Sequence, residues 1–296
     1  MSILEIQHLT KRYGSITAVN DLSLSVQRGS VFGILGPNGS GKTTTLGVIL
    51  GIIRPDAGQF SWFNGQYDPD ERLRLGALLE TPNFYPYLNA VQNLEIIAGI
   101  KKIAEPQIER LLRLVNLYER RHSAFRTYSY GMKQRLAIAG AMIGDPEVLI
   151  FDEPTNGLDP QGIAEVREII HRIAGEGKTI LMASHILDEV ERVCSHVAII
   201  KKGRLLATGE VGAILSDDRQ LEIGADDLVR LRELLAAVPG VRKIEEKGHH
   251  LSLLVQPGLT AAELNKLAFE SGLTLNHLVL RPRSLESEFL EITGKA

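Results

Sequence analysis

The stretch Gly36-Pro37-Asn38-Gly39-Ser40-Gly41-Lys42-Thr43 decides the fold of this protein. It matches G-x-x-x-x-G-K-[ST] at every defined position, a pattern that follows a strand and opens a helix. The apolar run Val31-Phe32-Gly33-Ile34-Leu35 precedes it and is typical of a strand buried on both faces. In Thr43–Ile53, which follows, apolar residues recur at helical spacing. The sequence therefore predicts a strand–loop–helix unit of an α/β protein.

This loop is suited to hold phosphate groups. Its glycines let backbone N–H groups turn inward around phosphate oxygens. The helix that begins near Gly41 adds the positive end of its dipole. The ammonium of Lys42 can reach the β- and γ-phosphates, and the hydroxyl of Thr43 can bind Mg²⁺. A glycine-rich turn without a ligand is the alternative, and the position of the loop between a strand and a helix disfavours it.

Two acids follow a second apolar strand about 110 residues further along. Val148-Leu149-Ile150-Phe151 is followed directly by Asp152 and Glu153. In parallel sheets, ligands bind at the carboxyl ends of the strands, where these carboxylates would lie. We expect Asp152 to hold Mg²⁺ and Glu153 to orient or deprotonate an attacking water. By themselves the acids could equally end a solvated strand; together with the phosphate loop they indicate a site.

Strands and helices alternate in the first two thirds of the chain. Besides the segments above, the pattern predicts strands at Ile3–Thr10, Asp21–Val26 and Thr179–Ala183 and a helix at Gln161–Ala174, which favours a parallel α/β sheet. Residues 82–140 are predicted to be mostly helical and to form a separate lobe.

The last third has a different pattern. It predicts strand, helix, hairpin, helix, strand and a short final helix, the βαββαβ order of a ferredoxin-like α+β domain. The segments are Gln220–Gly224, Asp227–Ala237, Val241–Val255 with its turn at Lys247-Gly248, Thr260–Ser271, Leu275–Leu280 and Ser284–Ile292. A polar stretch near Gly212–Asp218 separates the two parts, so we predict domains at 1–212 and 213–296.

The composition excludes several classes of protein. The chain has 296 residues, 44% hydrophobic and 23% charged, which is enough for a buried core and rules out a disordered chain. Lys and Arg number 33 against 36 Asp and Glu, so the basic excess of a nucleic-acid binder is missing. The single cysteine, Cys194, excludes an intramolecular disulfide, and we expect it to be a buried small hydrophobe. We expect neither a secretory signal nor a membrane span.

Three further segments resemble the ATPase subunit of an ATP-binding cassette (ABC) transporter. Tyr128-Ser129-Tyr130-Gly131-Met132-Lys133-Gln134-Arg135 resembles the family signature LSGGQ. Asn156-Gly157-Leu158-Asp159 matches the D-loop, and Ser184-His185 matches the switch histidine. Tyr13 stands where the family has an aromatic that stacks on adenine. The resemblance covers residues 1 to about 212 and implies a P-loop fold with a helical signature lobe.

The sequence departs from the family pattern at three positions. Tyr130 stands where the signature has its first glycine, and Met132 where it has glutamine. Glu80 stands at the position of the Q-loop glutamine. These forms are similar to the bacitracin-resistance and lantibiotic-immunity branch of ABC-2 type exporters. A glutamate there also offers an oxygen to Mg²⁺ but adds a charge beside the metal, and we expect Glu80 to couple the site to the membrane partner.

The resemblance implies ATP and Mg²⁺ as ligands. It gives catalytic roles to Glu153, His185 and Lys42, and it places Thr43, Glu80 and Asp152 at the metal. The residues that it places at the nucleotide are Tyr13, Gly36, Pro37, Asn38, Gly39, Ser40, Gly41, Lys42, Thr43, Thr44, Ser129, Gly131 and Asp159.

The resemblance also implies partners. Two ATPase subunits would pair head to tail as a homodimer. Each nucleotide would then lie between the phosphate loop of one subunit and the signature segment of the other. A separate transmembrane permease would hold them at the inner face of the membrane and would export a peptide antibiotic, a drug or a lipid-like compound. No nucleic acid is expected. The alternatives are a soluble ABC ATPase that acts on nucleic acid or ribosomes, and a non-catalytic subunit of a heterodimer.

Several residues have two interpretations. Tyr130 could serve packing, or it could narrow the contact with ATP. The aromatics Phe84, Tyr85 and Tyr87 could pack in the core or dock the membrane subunit. His249 and His250 are adjacent on a predicted strand and should point to opposite faces, which disfavours a metal site formed by this pair. The C-terminal domain carries no catalytic set, and we expect it to regulate or to stabilise the dimer.

Overall fold

The computed structural model describes residues 1–65, 71–79, 81–214, 219–256 and 258–281. These residues fall into two compact units, one of Met1–Val211 and one that starts at Gly212. The strands of the first unit are β1 (Ser2–Tyr13), β2 (Ile16–Gln27), β3 (Val31–Leu35), β4 (Ala57–Trp62), β5 (Leu75–Leu78), β6 (Val148–Asp152), β7 (Thr179–Ser184), β8 (His196–Lys201) and β9 (Arg204–Glu210).

Helices connect these strands. They are α1 (Lys42–Ile49), α2 (Ala90–Lys101), α3 (Ile108–Leu114), α4 (Tyr130–Ala141), α5 (Pro160–Gly175) and α6 (Leu187–Val193), and α7 (Val211–Ile214) follows β9. Short 3₁₀ helices lie at Phe63–Gly65, Glu71–Arg74, Tyr118–Arg120 and Phe125–Thr127.

The main sheet has six strands in the order β5-β6-β7-β3-β8-β9. All neighbours are parallel except β8 and β9. The register pairs Leu35 of β3 with Ser184 of β7, and Asp152 of β6 with Ala183 of β7. The carboxyl ends of β3, β6 and β7 therefore meet at one edge of the sheet, where ligands bind in such folds.

A second sheet packs its apolar residues into the same core. It is antiparallel, in the order β2-β1-β4. Its buried residues Leu4, Leu22 and Trp62 belong to one cluster with Ile34 of β3 and Leu46 of α1. The helix that follows the phosphate loop therefore packs on a core formed by both sheets.

The helical segment lies within the first unit. Helices α2, α3 and α4 contact one another, and α4 also contacts β5. The prediction that residues 82–140 are mostly helical is right for these three helices. It is wrong for 82–89, 102–107 and 115–129, where the backbone forms loops and single 3₁₀ turns.

The second unit has the predicted βαββαβ order. It consists of β10 (Arg219–Ala225), α8 (Leu228–Ala236), β11 (Val241–Lys247), β12 (His250–Val255), α9 (Ala261–Glu270) and β13 (Leu275–Arg281). The strands pair in the order β11-β12-β10-β13, and all three pairs are antiparallel. This is the ferredoxin-like arrangement. The helix predicted at Ser284–Ile292 lies outside the described residues.

The element boundaries differ from the prediction for local reasons. β1 and β2 extend beyond the predicted ranges Ile3–Thr10 and Asp21–Val26. The predicted ranges were too short because bulges in the pairing of these strands interrupt the alternation of apolar and polar residues. The predicted helix at Thr43–Ile53 ends at Ile49, followed by Gly51 at φ 69°. Strands β4, β5, β8 and β9 were not predicted.

Candidate active site

The phosphate loop is held in place by its neighbours. The Gly36 N–H donates a hydrogen bond to the Ser184 carbonyl at 3.3 Å, which fastens the start of the loop to β7. Gly39 and Gly41 have φ of 77° and 105°, a region that side chains rarely adopt. A Cβ on Gly41 would lie 2.2 Å from the carbonyl oxygen of Ala18. The glycines of the motif are therefore required by the backbone itself.

The side chain of Lys42 is folded onto this loop. It is only 5% exposed. Its Nζ donates to the carbonyl oxygens of Gly36 at 2.8 Å and Pro37 at 3.3 Å. The same atom lies 3.2 Å from Oε1 of Glu153, which follows β6. The structure thus brings together two residues that are far apart in the sequence, as their motifs predict.

Glu153 is the centre of the cluster. Its Oε2 lies 2.8 Å from Nδ1 of His185, and its N–H donates to the Ala183 carbonyl at 3.0 Å. Its φ of 49° turns the chain sharply at the end of β6. The carboxylate therefore lies between an ammonium on one side and an imidazole on the other, at the edge where three parallel strands end.

The residues at this edge fit a magnesium nucleotide. The Ser40 hydroxyl is buried and has no hydrogen-bond partner among the described residues, so a donor remains available inside the loop. Thr43 is exposed at the first turn of α1, and Asp152 is buried at the end of β6. A hydroxyl and a carboxylate supply the oxygen ligands that Mg²⁺ prefers. Positive charge from Lys42 and backbone N–H groups suits phosphates.

Sequence reasoning missed a buried carboxylate behind this cluster. Glu189 of α6 is 3% exposed, accepts a hydrogen bond from the Thr155 hydroxyl, and lies 3.4 Å from the Ser184 hydroxyl. Burial raises the pKa of the Glu189 carboxyl, and the negative charge of Glu153 raises it further. Glu189 joins the segment after Glu153 to the strand end before His185. The sequence signal that could have identified Glu189 is its helical spacing from the apolar residues Ile186 and Val193.

The predicted signature residues form a second feature. Ser129 caps α4 by accepting a hydrogen bond from the Met132 N–H, and Asp159 caps α5 by accepting one from the Gly162 N–H. Both line a groove of about 440 Å³ together with Gly131. The residues that line this groove come from 129–135 and 157–165, so the groove is distinct from the Lys42–Glu153 cluster.

Tyr130 packs on the D-loop. A Cβ on Gly157 would lie 3.3 Å from Cε1 of Tyr130, and the tyrosine is 42% exposed. The ring thus packs against the backbone at Gly157 and also forms part of the groove surface. Both interpretations of Tyr130, packing and a contact surface, remain compatible with this position.

The other predicted residues lie as follows. Tyr13, at the end of β1, is 48% exposed, with Nζ of Lys11 at 5.5 Å from its ring centre. Tyr85 and Tyr87 are exposed, whereas Phe84 packs against Phe125 at 5.2 Å between ring centres. The aromatic segment therefore divides between packing and surface. Glu80 lies outside the described residues.

The structure bears on two expectations from the composition, which concern the burial of Cys194 and membrane-spanning helices. Cys194 is buried as predicted, and burial raises the pKa of its thiol to about 12. In the part of the chain that the structure describes, no helix has the length and apolar character needed to cross a bilayer.

Comparison with known proteins agrees with this geometry. The family model for the ABC transporter matches residues 19–156. The Nod factor export ATP-binding protein I of Cupriavidus pinatubonensis is 37% identical over an alignment that covers 99% of this chain and 91% of the relative. The bacitracin transport ATP-binding protein BcrA of Bacillus licheniformis is 36% identical, covering 99% and 98%.

Solved structures show the same fold. The structure of cbiO1 from Clostridium perfringens, described as part of the ABC transporter complex cbiONQ, aligns with a TM-score of 0.66 and 29% identity. That alignment covers 72% of this chain and 90% of the other. Two relatives above 30% identity, aligned over nearly the whole chain, establish the family: this chain belongs to the ATP-binding subunits of ABC transporters and is an ABC ATPase.

Proposed function

We propose that this chain hydrolyses ATP with Glu153 as the residue that orients and deprotonates water, and thereby powers export through a separate membrane subunit. The observation that carries this proposal is the position of the Glu153 carboxylate between Lys42 and His185 at the strand ends. Residues 1–212 form the nucleotide-binding domain in this proposal, and 213–296 form an accessory domain.

The chemistry follows from the contacts of Lys42. The β- and γ-phosphates compete with the Glu153 carboxylate for the Lys42 ammonium and draw it toward the loop. The carboxylate is then free to accept a proton from water as the water oxygen attacks the γ-phosphorus and the bond to the β-phosphate oxygen breaks. His185, at 2.8 Å, keeps the carboxylate in place.

Residues of the same edge would hold the rest of the nucleotide. The amides of residues 36–44 surround the phosphates, and Tyr13 stacks on the adenine. Thr43, Asp152 and Glu80 would bind Mg²⁺, which when bound neutralises charge on the phosphate oxygens. If Glu80→Gln leaves both ATPase and transport unchanged, the charge of Glu80 has no special role.

A head-to-tail dimer would complete the site. Ser129 and Gly131 stand at the N-terminus of α4, which offers a hydroxyl, N–H groups and the positive dipole end to a γ-phosphate. They line a groove that is distinct from the phosphate loop of their own chain. This supports a contact between Ser129 and Gly131 and a nucleotide held in the phosphate loop of a second copy. ATP would then hold the two subunits together, and loss of the γ-phosphate would weaken the dimer.

The membrane role rests on the relatives. One relative carries the name of a Nod factor exporter subunit and another that of a bacitracin transport subunit. We therefore place this chain at the cytoplasmic face of the inner membrane, bound to a transmembrane permease. A peptide antibiotic, a drug or a lipid-like compound is the proposed substrate, and nucleic acid is not.

The catalytic assignment is tested by comparing two carboxylate variants. We expect Glu153→Gln to reduce kcat by about 10²- to 10⁴-fold while ATP still binds. Glu168→Gln, on the exposed surface of α5, removes a carboxylate away from the site and should leave kcat unchanged. Hydrolysis that survives Glu153→Gln would show that another group activates the water.

The transport assignment is tested separately. The tagged chain is purified from detergent-solubilised membranes of its own host, and the bound proteins are identified by mass spectrometry. A bound polytopic membrane protein supports the proposal and indicates the substrate. Recovery of ribosomes or nucleic acid instead would favour a soluble ABC ATPase.

A further inference from the structure

Three metal-binding side chains converge in the second unit. Glu222 of β10, His250 of β12 and His277 of β13 each place one donor atom within 4.8 Å of the other two. Nε2 of His277 lies 3.4 Å from Oε2 of Glu222, and the two imidazole rings are 5.0 Å apart between centres. We propose that these three residues bind one divalent transition-metal ion, with Zn²⁺ as the best match.

The strand order explains why they meet. β10 lies between β12 and β13, so residues on one face of these strands are direct neighbours. Gly224 of β10 is paired with His277, and the pairing of Ile223 with Leu251 places His250 on its other side. A Cβ on Gly224 would lie 3.1 Å from Cβ of His277. The glycine thus leaves room for the two imidazoles to approach each other over the central strand.

The three side chains lie on the face of the sheet that does not form the core. On β10, Leu221, Ile223 and Ala225 are buried in the core cluster of this unit, and α8 contacts β10. Side chains alternate along a strand, so Glu222 and Gly224 face the other side. Glu222 and His277 are 15% and 37% exposed, which shields the site partly and still admits an ion.

The donor set has the chemistry of a zinc site. Two imidazoles and one carboxylate are the protein ligands of a known class of zinc site, in which the fourth position is open. Two ligands at about 2.0–2.1 Å from a tetrahedral ion lie roughly 3.3 Å apart. The separation of 3.4 Å between His277 and Glu222 is close to this value. Mg²⁺ and Ca²⁺ prefer sets made of oxygen atoms and are expected to bind poorly.

Sequence reasoning considered His249 together with His250 and disfavoured a metal. The structure differs from the premise of that argument, because His249 lies in the turn before β12 and only His250 lies on the strand; His249 does not belong to the cluster. The partner of His250 is instead on β13 and becomes visible only with the strand order. A metal here would link the central strand to both neighbours and would stabilise the folded second unit by mass action.

The test uses the full chain and Zn²⁺ alone, without nucleotide. Binding is measured by calorimetry, and the melting temperature is followed with increasing Zn²⁺. His250→Ala and His277→Ala should each weaken binding to this site by at least about tenfold, and the double variant should lose it. His249→Ala is the matched control, since it removes a neighbouring histidine outside the cluster.

Spectroscopy identifies the ligands. With Co²⁺ in place of Zn²⁺, the wild type and His249→Ala should show the strong visible absorption of a tetrahedral site, and the double variant should not. Equal binding of Zn²⁺ by the wild type and the double variant would overturn the proposal. So would the absence of saturable binding up to about 0.1 mM Zn²⁺. Because Glu153 and His185 are unchanged in these variants, failure here leaves the proposed ATPase mechanism unaffected.

Discussion

The ammonium of Lys42 lies 3.2 Å from the carboxylate of Glu153, between the loop after β3 and the end of β6. Each group neutralises the charge of the other at a place where both have little contact with water. A phosphate that binds in the loop must therefore replace Glu153 as the partner of Lys42. In the proposed mechanism, this exchange of partners couples nucleotide binding to the release of the carboxylate.

Removal of the Lys42 charge should weaken nucleotide binding. We expect Lys42→Met to raise the Kd for ATP by about 10- to 100-fold, since a hydrogen bond to a charged group contributes about 1.5–3 kcal/mol. Lys178→Met is the control, because Lys178 is 14% exposed and pairs with Asp145 at 2.7 Å away from the site. Both are measured by calorimetry with ATP and Mg²⁺. An equal loss in the control would mean that general destabilisation causes the effect.

Loss of the His185 imidazole should affect turnover more than binding. The ring contacts Glu153 at 2.8 Å and limits the positions of the carboxylate. We expect His185→Gln to lower kcat by about 10- to 100-fold and to change the KM for ATP little. His171→Gln, on the exposed side of α5, should alter neither. A rise in KM with unchanged kcat would assign His185 to binding.

The phosphate loop could be predicted from the sequence because the elements that form it are contiguous. A buried strand, a glycine loop and a helix follow one another between residues 31 and 49, and parallel strands bring their carboxyl ends to one edge. Glu153 could therefore be placed near Lys42 from the strand pattern, whereas His185 was assigned through the resemblance to the ABC family.

The remainder depends on contacts that a single segment does not encode. The cluster of Glu222, His250 and His277 requires the order β12-β10-β13, and hydrophobic periodicity reports only which residues of a strand are buried. Glu189 was missed because a glutamate is usually exposed to solvent. Its burial is explained only by the hydrogen bonds from Thr155 and Ser184, which the sequence does not reveal. The ends of β1 and β2 were missed because bulges change the alternation.

The buried Glu189 should make stability depend on pH. Burial raises its pKa in the folded chain above the usual 4.5, so the folded state holds the proton more tightly than the unfolded state. Its contribution to stability is complete below pH 4.5 and is lost as the pH rises through the folded pKa. Glu189→Gln keeps the shape without the charge and should flatten this part of the curve.

The melting temperature of both proteins from pH 4.5 to 8 measures this effect. Glu95→Gln, exposed on α2, is the control and should follow the wild type. If the wild type and Glu189→Gln have the same pH profile, the carboxyl of Glu189 is not protonated preferentially in the folded state.

The contact between Tyr130 and Gly157 should be measurable as a difference between two glycine variants. Gly157 and Gly177 have φ of 77° and 82°, and a Cβ at Gly177 meets nothing within 4 Å. Alanine should therefore cost about 1–2 kcal/mol of unfolding free energy at either position. Gly157→Ala should cost more, because its Cβ would lie 3.3 Å from the Tyr130 ring. In a Tyr130→Ala background this excess should disappear, as denaturant unfolding of the single and double variants would reveal. An excess that persists without the ring would place its origin elsewhere in the D-loop.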